Sequence, residues 1–93
     1  MIIGIISVDL HIPDSQSLKD KRQVVKSLIS RTRNKFNVSM AEIGGQDKWQ
    51  RALIGIVSVG NEKRFVNQVL DRVMNFIRSV PFVNLIGYQI EFL

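Results

Sequence analysis

The sequence contains no cysteine, and none of its apolar runs approaches the roughly 20 residues that a membrane-spanning helix needs. Without cysteine, neither a disulfide framework nor a thiolate metal site can form. The first residues, MIIGIISVDLHI, lack both the basic start and the small-residue cleavage site of a secretory signal peptide. We therefore expect a cytoplasmic protein with no membrane association.

A catalytic centre is also missing from the residue pattern. His11 is the one histidine, and there is no nucleophile elbow and no glycine-rich phosphate-binding loop. Asp9 and His11 share a strand face, and Glu91 could join them if the first and last strands pair, which would allow weak metal binding or acid–base chemistry. A polar end to an apolar strand face explains the same residues more simply. We predict a protein that is not an enzyme, with no catalytic residue, no cofactor and no metal.

The positive charge of the chain is concentrated in one segment. The net charge is +5, and residues 19–35 alone carry seven basic side chains against Asp20, so the remainder of the chain is slightly acidic. The basic residues of this segment are Lys19, Lys21, Arg22, Lys26, Arg31, Arg33 and Lys35. Such a concentration of charge points to nucleic acid or another polyanion as a partner.

Four of these side chains form a basic stripe along one side of the predicted first helix. They are Lys19, Arg22, Lys26 and Arg33, with Ser30 in line between the last two. Because a helix rises 1.5 Å per residue, the basic stripe is about 20 Å long and can follow several phosphates. A solvated helix face that also complements the helix dipole explains the same charges. Lys21 falls near the apolar side of the helix, where we expect its stem to pack and its ammonium group to reach solvent.

A further candidate contact follows the predicted hairpin turn, where Lys48, Trp49 and Arg51 lie close together in the sequence. Trp49 between two cations could stack on a base, or it could fold back over the sheet and close an apolar edge. The first and third strands carry no aromatic residue, so we do not expect bases to stack on the sheet as they do in RNA-recognition motifs. If RNA binds, the first helix and the hairpin are the better surface.

The order of apolar patterns predicts one α+β domain spanning residues 1–93. The strings IGIISV (3–8) and IGIVSV (54–59) nearly repeat, and each is followed by a helical pattern and a further strand. Ser17 is a suitable N-cap for the first helix, and Asn61 for the second. Strands are predicted at about 2–12, 37–43, 51–59 and 83–92, and helices at about 18–35 and 62–80. This βαββαβ order predicts a four-stranded antiparallel sheet with both helices on one face.

Side-chain alternation within the strands assigns the two faces of this sheet. Unless a β-bulge reverses the alternation, the near-repeat places Ile54 and Ile56 on the same face as Ile3 and Ile5, away from the helices. That much apolar surface on a monomer requires a cover. We therefore predict a homodimer, or a complex with another partner, whose interface contains Ile3, Ile5, Ile54 and Ile56.

Three strings, taken together, resemble one known family. They are SLKDKR at 17–22, FNVSMAE at 36–42 and WQRA at 49–52, with Arg31 and Arg33 between the first two. In this order they are similar to the YlxP-like family of small bacterial proteins, a domain of unknown function, over essentially the whole chain. The resemblance implies a ferredoxin-like fold and a genomic setting close to factors of translation initiation and ribosome maturation. It carries over no catalytic residue.

Two hypotheses of different classes follow from these features. The first is a non-enzymatic RNA-binding or ribosome-associated accessory protein in which the basic stripe contacts phosphates, supported by Lys48, Trp49 and Arg51. The alternative is a dimeric small-ligand-binding or regulatory domain that uses the open face of the sheet. The family setting and the basic stripe motivate the RNA partner, whereas the apolar residues of the open face motivate the alternative.

Overall fold

Four strands and two helices alternate along the chain in the computed structural model, which describes all of residues 1–93. The elements are β1 (Ile2–His11), α1 (Leu18–Lys35), β2 (Ser39–Gly44), β3 (Arg51–Gly60), α2 (Lys63–Ser79) and β4 (Asn84–Phe92). The strands form one antiparallel sheet in the order β2-β3-β1-β4, and both helices cover the same face. The predicted α+β, ferredoxin-like βαββαβ fold is confirmed.

The two helices begin differently. The hydroxyl of Ser17 accepts a hydrogen bond from the Asp20 N–H at 3.0 Å, which confirms the predicted N-cap of α1. The cap position of α2 is occupied by Glu62 and not by Asn61, so that prediction was wrong by one residue. Glu62 makes no capping hydrogen bond, and its carboxylate lies 3.3 Å from Arg64 Nε. Neither helix is both long and apolar enough to cross a bilayer.

The assignment of sheet faces is correct for β1 and wrong for β3. Ile54 and Ile56 are 1% and 0% exposed and lie in the core beneath the helices. The antiparallel register pairs Ile6 with Ile56, and directly opposite residues share a face. In the observed register the numbers of paired residues in β1 and β3 sum to 62, so residues whose numbers have an even sum share a face. Matching letters of the near-repeat are 51 positions apart, so their numbers have an odd sum and they point to opposite faces. Ile54 and Ile56 therefore do not belong to any interface on the open face.

The core is a single cluster of 16 buried apolar residues between the sheet and the helices. With the register corrected, β3 contributes Leu53, Val57 and Val59 to the open face beside Ile3 and Ile5 of β1. The open face thus remains partly apolar, although with different residues from β3 than those predicted.

Candidate nucleic-acid interface

A groove of about 530 Å³ lies between α1 and the edge strand β2. Its lining comes from one side of α1 and a single carboxylate of β2. The lining residues are Arg22, Val25, Lys26, Ile29, Ser30, Arg33, Asn34 and Glu42. Val25 is buried and Glu42 is mostly buried, whereas the charged and polar residues of α1 are exposed. We call this the α1–β2 groove. Its rim is cationic, and its base is apolar except for one carboxylate.

The basic stripe forms the rim of this groove. All four of its side chains are exposed, and none takes part in an ion pair, a side-chain hydrogen bond or a cation–π contact. Lys19 extends the stripe one turn beyond the groove, so the four residues span about 21 Å along the helix axis. Like charges in such a row repel one another, and an anion that reaches them removes this repulsion.

Most other basic side chains of the protein have a partner within the fold. Three are in ion pairs: Lys21 with Glu42, Arg51 with Asp9, and Arg64 with Glu62. The cations placed over aromatic rings are Arg31, Lys35, Lys63, Arg64 and Arg78. Outside the stripe, only Lys48 and Arg72 have neither kind of partner. The cations that have neither an ion-pair partner nor an aromatic partner are therefore concentrated along the α1–β2 groove.

The sequence predicts that the ammonium group of Lys21 reaches solvent, but in the structure Lys21 is buried. Its side chain is 0% exposed, its Nζ donates a hydrogen bond to the carbonyl oxygen of Gly45 at 2.6 Å, and Glu42 Oε2 lies 2.9 Å away. The β2–β3 hairpin covers this side of α1, so the ammonium group finds its partners inside the protein. The ion pair ties the edge strand to the helix and so sets the position of one wall of the groove. Glu42 is opposite the buried Ile54 and so lies on the helix-facing side of β2; this register depends on pairing between strands, and the sequence carries no local signal for the ion pair.

The three residues predicted to support the stripe lie outside the groove. Arg51 is on the open face of the sheet, where its Nη2 and Nε donate to the Asp9 carboxylate at 2.5 and 3.3 Å. The hydrogen bonds to Asp9, and the negative charge of Asp9, raise the pKa of Arg51 above its ordinary value. Lys48 lines a small depression beside this pair. Trp49 is 56% exposed on the hairpin loop, so it does not close an apolar edge of the sheet.

The residues considered for catalysis are not brought together. Asp9 is engaged by Arg51, and the β1–β4 register places Glu91 opposite Ile5, six residues and about 20 Å from His11 along the strand. His11 instead faces Asn84 and Arg51 across the neighbouring strands. No group of three or more His, Cys, Asp or Glu side chains is placed to hold a metal ion.

The open face of the sheet is divided into an apolar end and a polar end. Ile3 pairs with Val59 on one side and exchanges backbone hydrogen bonds with Leu93 on the other, which forms an apolar row. Val59 and Leu93 are 57% and 69% exposed. Towards the other end, a depression of about 560 Å³ is lined by Ser7, Asp9, Leu53, Gly87, Tyr88 and Gln89. This face is the second candidate surface.

Comparison with known proteins gives a family and a relative. The family model described as "Protein of unknown function (DUF503)" matches residues 3–90. The "Uncharacterized protein YlxP" of Bacillus subtilis (strain 168) is 45% identical over 80 residues, which is 86% of this chain and 87% of that protein.

A distant likeness is found among solved structures. LarC2, the C-terminal domain of a cyclometallase involved in the synthesis of the NPN cofactor of lactate racemase, in its apo form, is 9% identical with a TM-score of 0.49. The match covers 100% of this chain but only 55% of that chain. At this distance it has no bearing on function.

Proposed function

The chain belongs to the DUF503 family of YlxP-like proteins, and we propose that it is a non-enzymatic RNA-binding or ribosome-associated accessory protein of the cytoplasm. The α1–β2 groove is the proposed binding surface. One observation carries the proposal: the four cations of the basic stripe have no partner within the protein, while most other cations do.

The groove offers complementary kinds of contact to a ribose–phosphate backbone. The guanidinium groups of Arg22 and Arg33 can each donate two parallel hydrogen bonds to a phosphate, whereas Lys26 supplies a mobile point charge. Ser30 and Asn34 lie between and beside these cations and offer neutral hydrogen-bonding groups. Such contacts need no proton transfer and no cofactor, in keeping with the proposed binding role.

Recovery of RNA with the protein from its own cells tests this function. Tagged wild-type protein should retain ribosomal RNA or ribosomal subunits, and the Arg22→Gln/Lys26→Gln variant should retain much less. Arg72→Gln is the control, because it removes an exposed, unpartnered cation of α2 that lies outside the groove. Equal recovery by the wild type and the double variant, or no RNA with the wild type, would contradict the proposal.

A second candidate function uses the open face of the sheet, and its exposed apolar end favours it. We propose that a second copy of the chain covers this face, with the depression near Ser7 and Gln89 available to a small polar ligand. The four strands contain 10, 6, 10 and 9 residues, and at a spacing of about 4.8 Å between strands they give a footprint of about 550 Å². This approaches the roughly 800 Å² of accessible surface that each partner buries in a standard interface. Twofold symmetric pairs of identical chains are the commonest assemblies that bury such a patch.

Sedimentation of a charged variant tests the pairing of the open faces. Val57→Lys places an ammonium group among the apolar residues of the open face without entering the core, so it should give a folded monomer. Gln68→Lys, at an exposed position of α2 on the other side of the sheet, is the control for added charge. Wild-type protein that sediments as a monomer at high micromolar concentration would exclude this candidate.

A further inference from the structure

We infer that the α1–β2 groove recognises the sugar–phosphate backbone of double-stranded RNA and not the bases of a single strand, an inference that rests on the proposed RNA-binding function. Three features of the groove carry it: the absence of aromatic side chains, the anchored helix from which the cations project, and the hydrogen-bonding groups that lie among those cations.

No aromatic residue lines the groove. Proteins that hold single strands without sequence preference stack the bases on exposed aromatic rings. The aromatic residues nearest to α1 are committed elsewhere: Phe36 packs edge-to-face on Phe76 with centroids 6.0 Å apart, and Arg31 lies over Phe82. Trp49, the one exposed tryptophan, is on the hairpin loop and does not line the groove. A single strand would therefore find charge in the groove but no surface on which to stack.

The cations project from a single long α-helix that is anchored to the rest of the protein. α1 has 18 residues, or about 27 Å, and is capped at its start by Ser17. It is anchored below the stripe by buried Leu28 and Thr32 and by the ion pair of Lys21. The side chains themselves are mobile, but the helix fixes the spacing of the positions from which they project, and such spacing suits a ligand whose phosphates are already held in a regular row, as they are in a duplex. A flexible single strand would have to lose conformational freedom to match it.

Among the cations and at the base of the groove lie groups that can hydrogen-bond to hydroxyls. Ser30 and Asn34 can donate and accept hydrogen bonds, and the Glu42 side chain stays 17% exposed although its Oε2 is held against Lys21. A carboxylate at the base of the groove repels a phosphate but accepts a hydrogen bond from a ribose 2′-hydroxyl. Protein contacts to RNA duplexes are made to phosphates and 2′-hydroxyls across the wide minor groove. The same set of groups predicts a preference for RNA over DNA duplexes.

Titration of the full chain with three labelled probes of equal phosphate number tests the inference. The probes are an RNA duplex of about 16 base pairs, a DNA duplex of the same sequence and an unstructured single-stranded RNA. We expect the RNA duplex to bind about tenfold more tightly than the single strand, with the DNA duplex between them. Arg22→Gln/Lys26→Gln should weaken binding of all three probes.

Each possible result of the titration decides a specific point. If the single strand binds as tightly as the RNA duplex, and the double variant weakens both, the duplex inference is wrong and the RNA-binding function stands. If no probe binds, or the double variant binds as wild type does, both the inference and the proposed function are wrong. If RNA and DNA duplexes bind equally, recognition of the 2′-hydroxyl is wrong.

A second variant isolates the hydroxyl contacts without touching the charges. Ser30→Ala/Asn34→Ala changes two exposed residues of α1, so it should fold as wild type does. We expect it to bind the RNA duplex about fivefold more weakly and the DNA duplex unchanged, because only RNA offers the 2′-hydroxyl. An equal loss for both duplexes would assign these side chains to phosphates and overturn the RNA preference.

Discussion

The two helices cover the same face of the sheet and nearly equal lengths of chain, yet they are built differently. α2 buries five apolar side chains, whereas the four buried residues of α1 include a lysine and a threonine. The buried residues of α2 are Val66, Leu70, Val73, Met74 and Ile77. The cations at both ends of α2 lie over aromatic rings, as Lys63 does over Phe92 at 4.8 Å and Arg78 over Tyr88 at 5.4 Å. The stripe on α1 has no such partners.

The difference indicates two roles: α2 mainly stabilises the fold, whereas the exposed side of α1 presents charge. The apolar face of α2 supplies most of the helical contribution to the core, because burial of apolar surface stabilises in proportion to the area removed from water. The exposed side of α1 contributes little to stability, so its residues are free to serve a ligand. Four experiments with variants measure how sharply the two roles are divided, beginning with the one that should have the largest effect.

Leu70→Ala in α2 should lower the free energy of unfolding by about 3–4 kcal/mol, because Leu70 is 0% exposed at the contact with β1. Ile29→Ala, on the groove side of α1, should cost only about 1 kcal/mol, because Ile29 is half-buried. Urea denaturation followed by circular dichroism measures both values. Equal losses would show that the groove side of α1 is part of the core.

Lys21→Met should cost about 2–3 kcal/mol, because it leaves the mostly buried Glu42 carboxylate without its charge partner. The double variant Lys21→Met/Glu42→Gln removes both charges and should recover part of this loss. A double-mutant cycle by chemical denaturation gives the coupling between the two residues. If the coupling is near zero, the ion pair does not hold β2 against α1.

Gly4→Ala should cost about 1–2 kcal/mol, because an added Cβ would lie 2.6 Å from Val66 Cγ1 and 2.7 Å from Leu70 Cδ1 of α2. Gly55→Ala, at the matching letter of the near-repeat, faces the exposed Ile43 at 3.1 Å and should cost less, since that side chain can move. Thermal unfolding of the two variants compares them. A larger loss at Gly55 would mean that the covered and open faces of the sheet have been interchanged.

Arg22→Gln/Lys26→Gln should change the free energy of unfolding by about 0.5 kcal/mol or less, because both side chains are exposed and unpartnered. Relief of repulsion along the stripe could even stabilise the variant slightly. Denaturation at low and moderate salt checks this value. A loss comparable with that of Lys21→Met would make the stripe part of the folding energy and remove the contrast between the helices.

Sequence reasoning predicted the elements and their order because each element leaves a local signal. Ser17 marks the start of α1, and Gly45, with φ of 73°, occupies the turn between β2 and β3. The basic stripe was also visible, because helical spacing alone places its residues on one side. These features depend on neighbours within a few positions of each other in the chain.

The features that sequence reasoning missed depend on contacts between distant segments. The face of Ile56 is set by its pairing with Ile6 on β1. The burial of Lys21 depends on the carbonyl group of Gly45 in the hairpin. Arg51 is separated from the stripe because it lies on the open face, where it pairs with Asp9. A β-strand reverses its faces with every residue, so a one-position error in register changes an entire surface. The candidate site was therefore predicted on its helical side and not on its strand and hairpin side.

The salt dependence of RNA binding tests the role of the basic stripe most directly. For a duplex RNA probe, four phosphate contacts predict a slope of log K against log salt of about −3.6 for the wild type. Arg22→Gln/Lys26→Gln should reduce the slope to about −1.8, whereas Arg72→Gln on α2 should leave it unchanged. Equal slopes for the wild type and the double variant would show that the stripe is only a solvated face of α1.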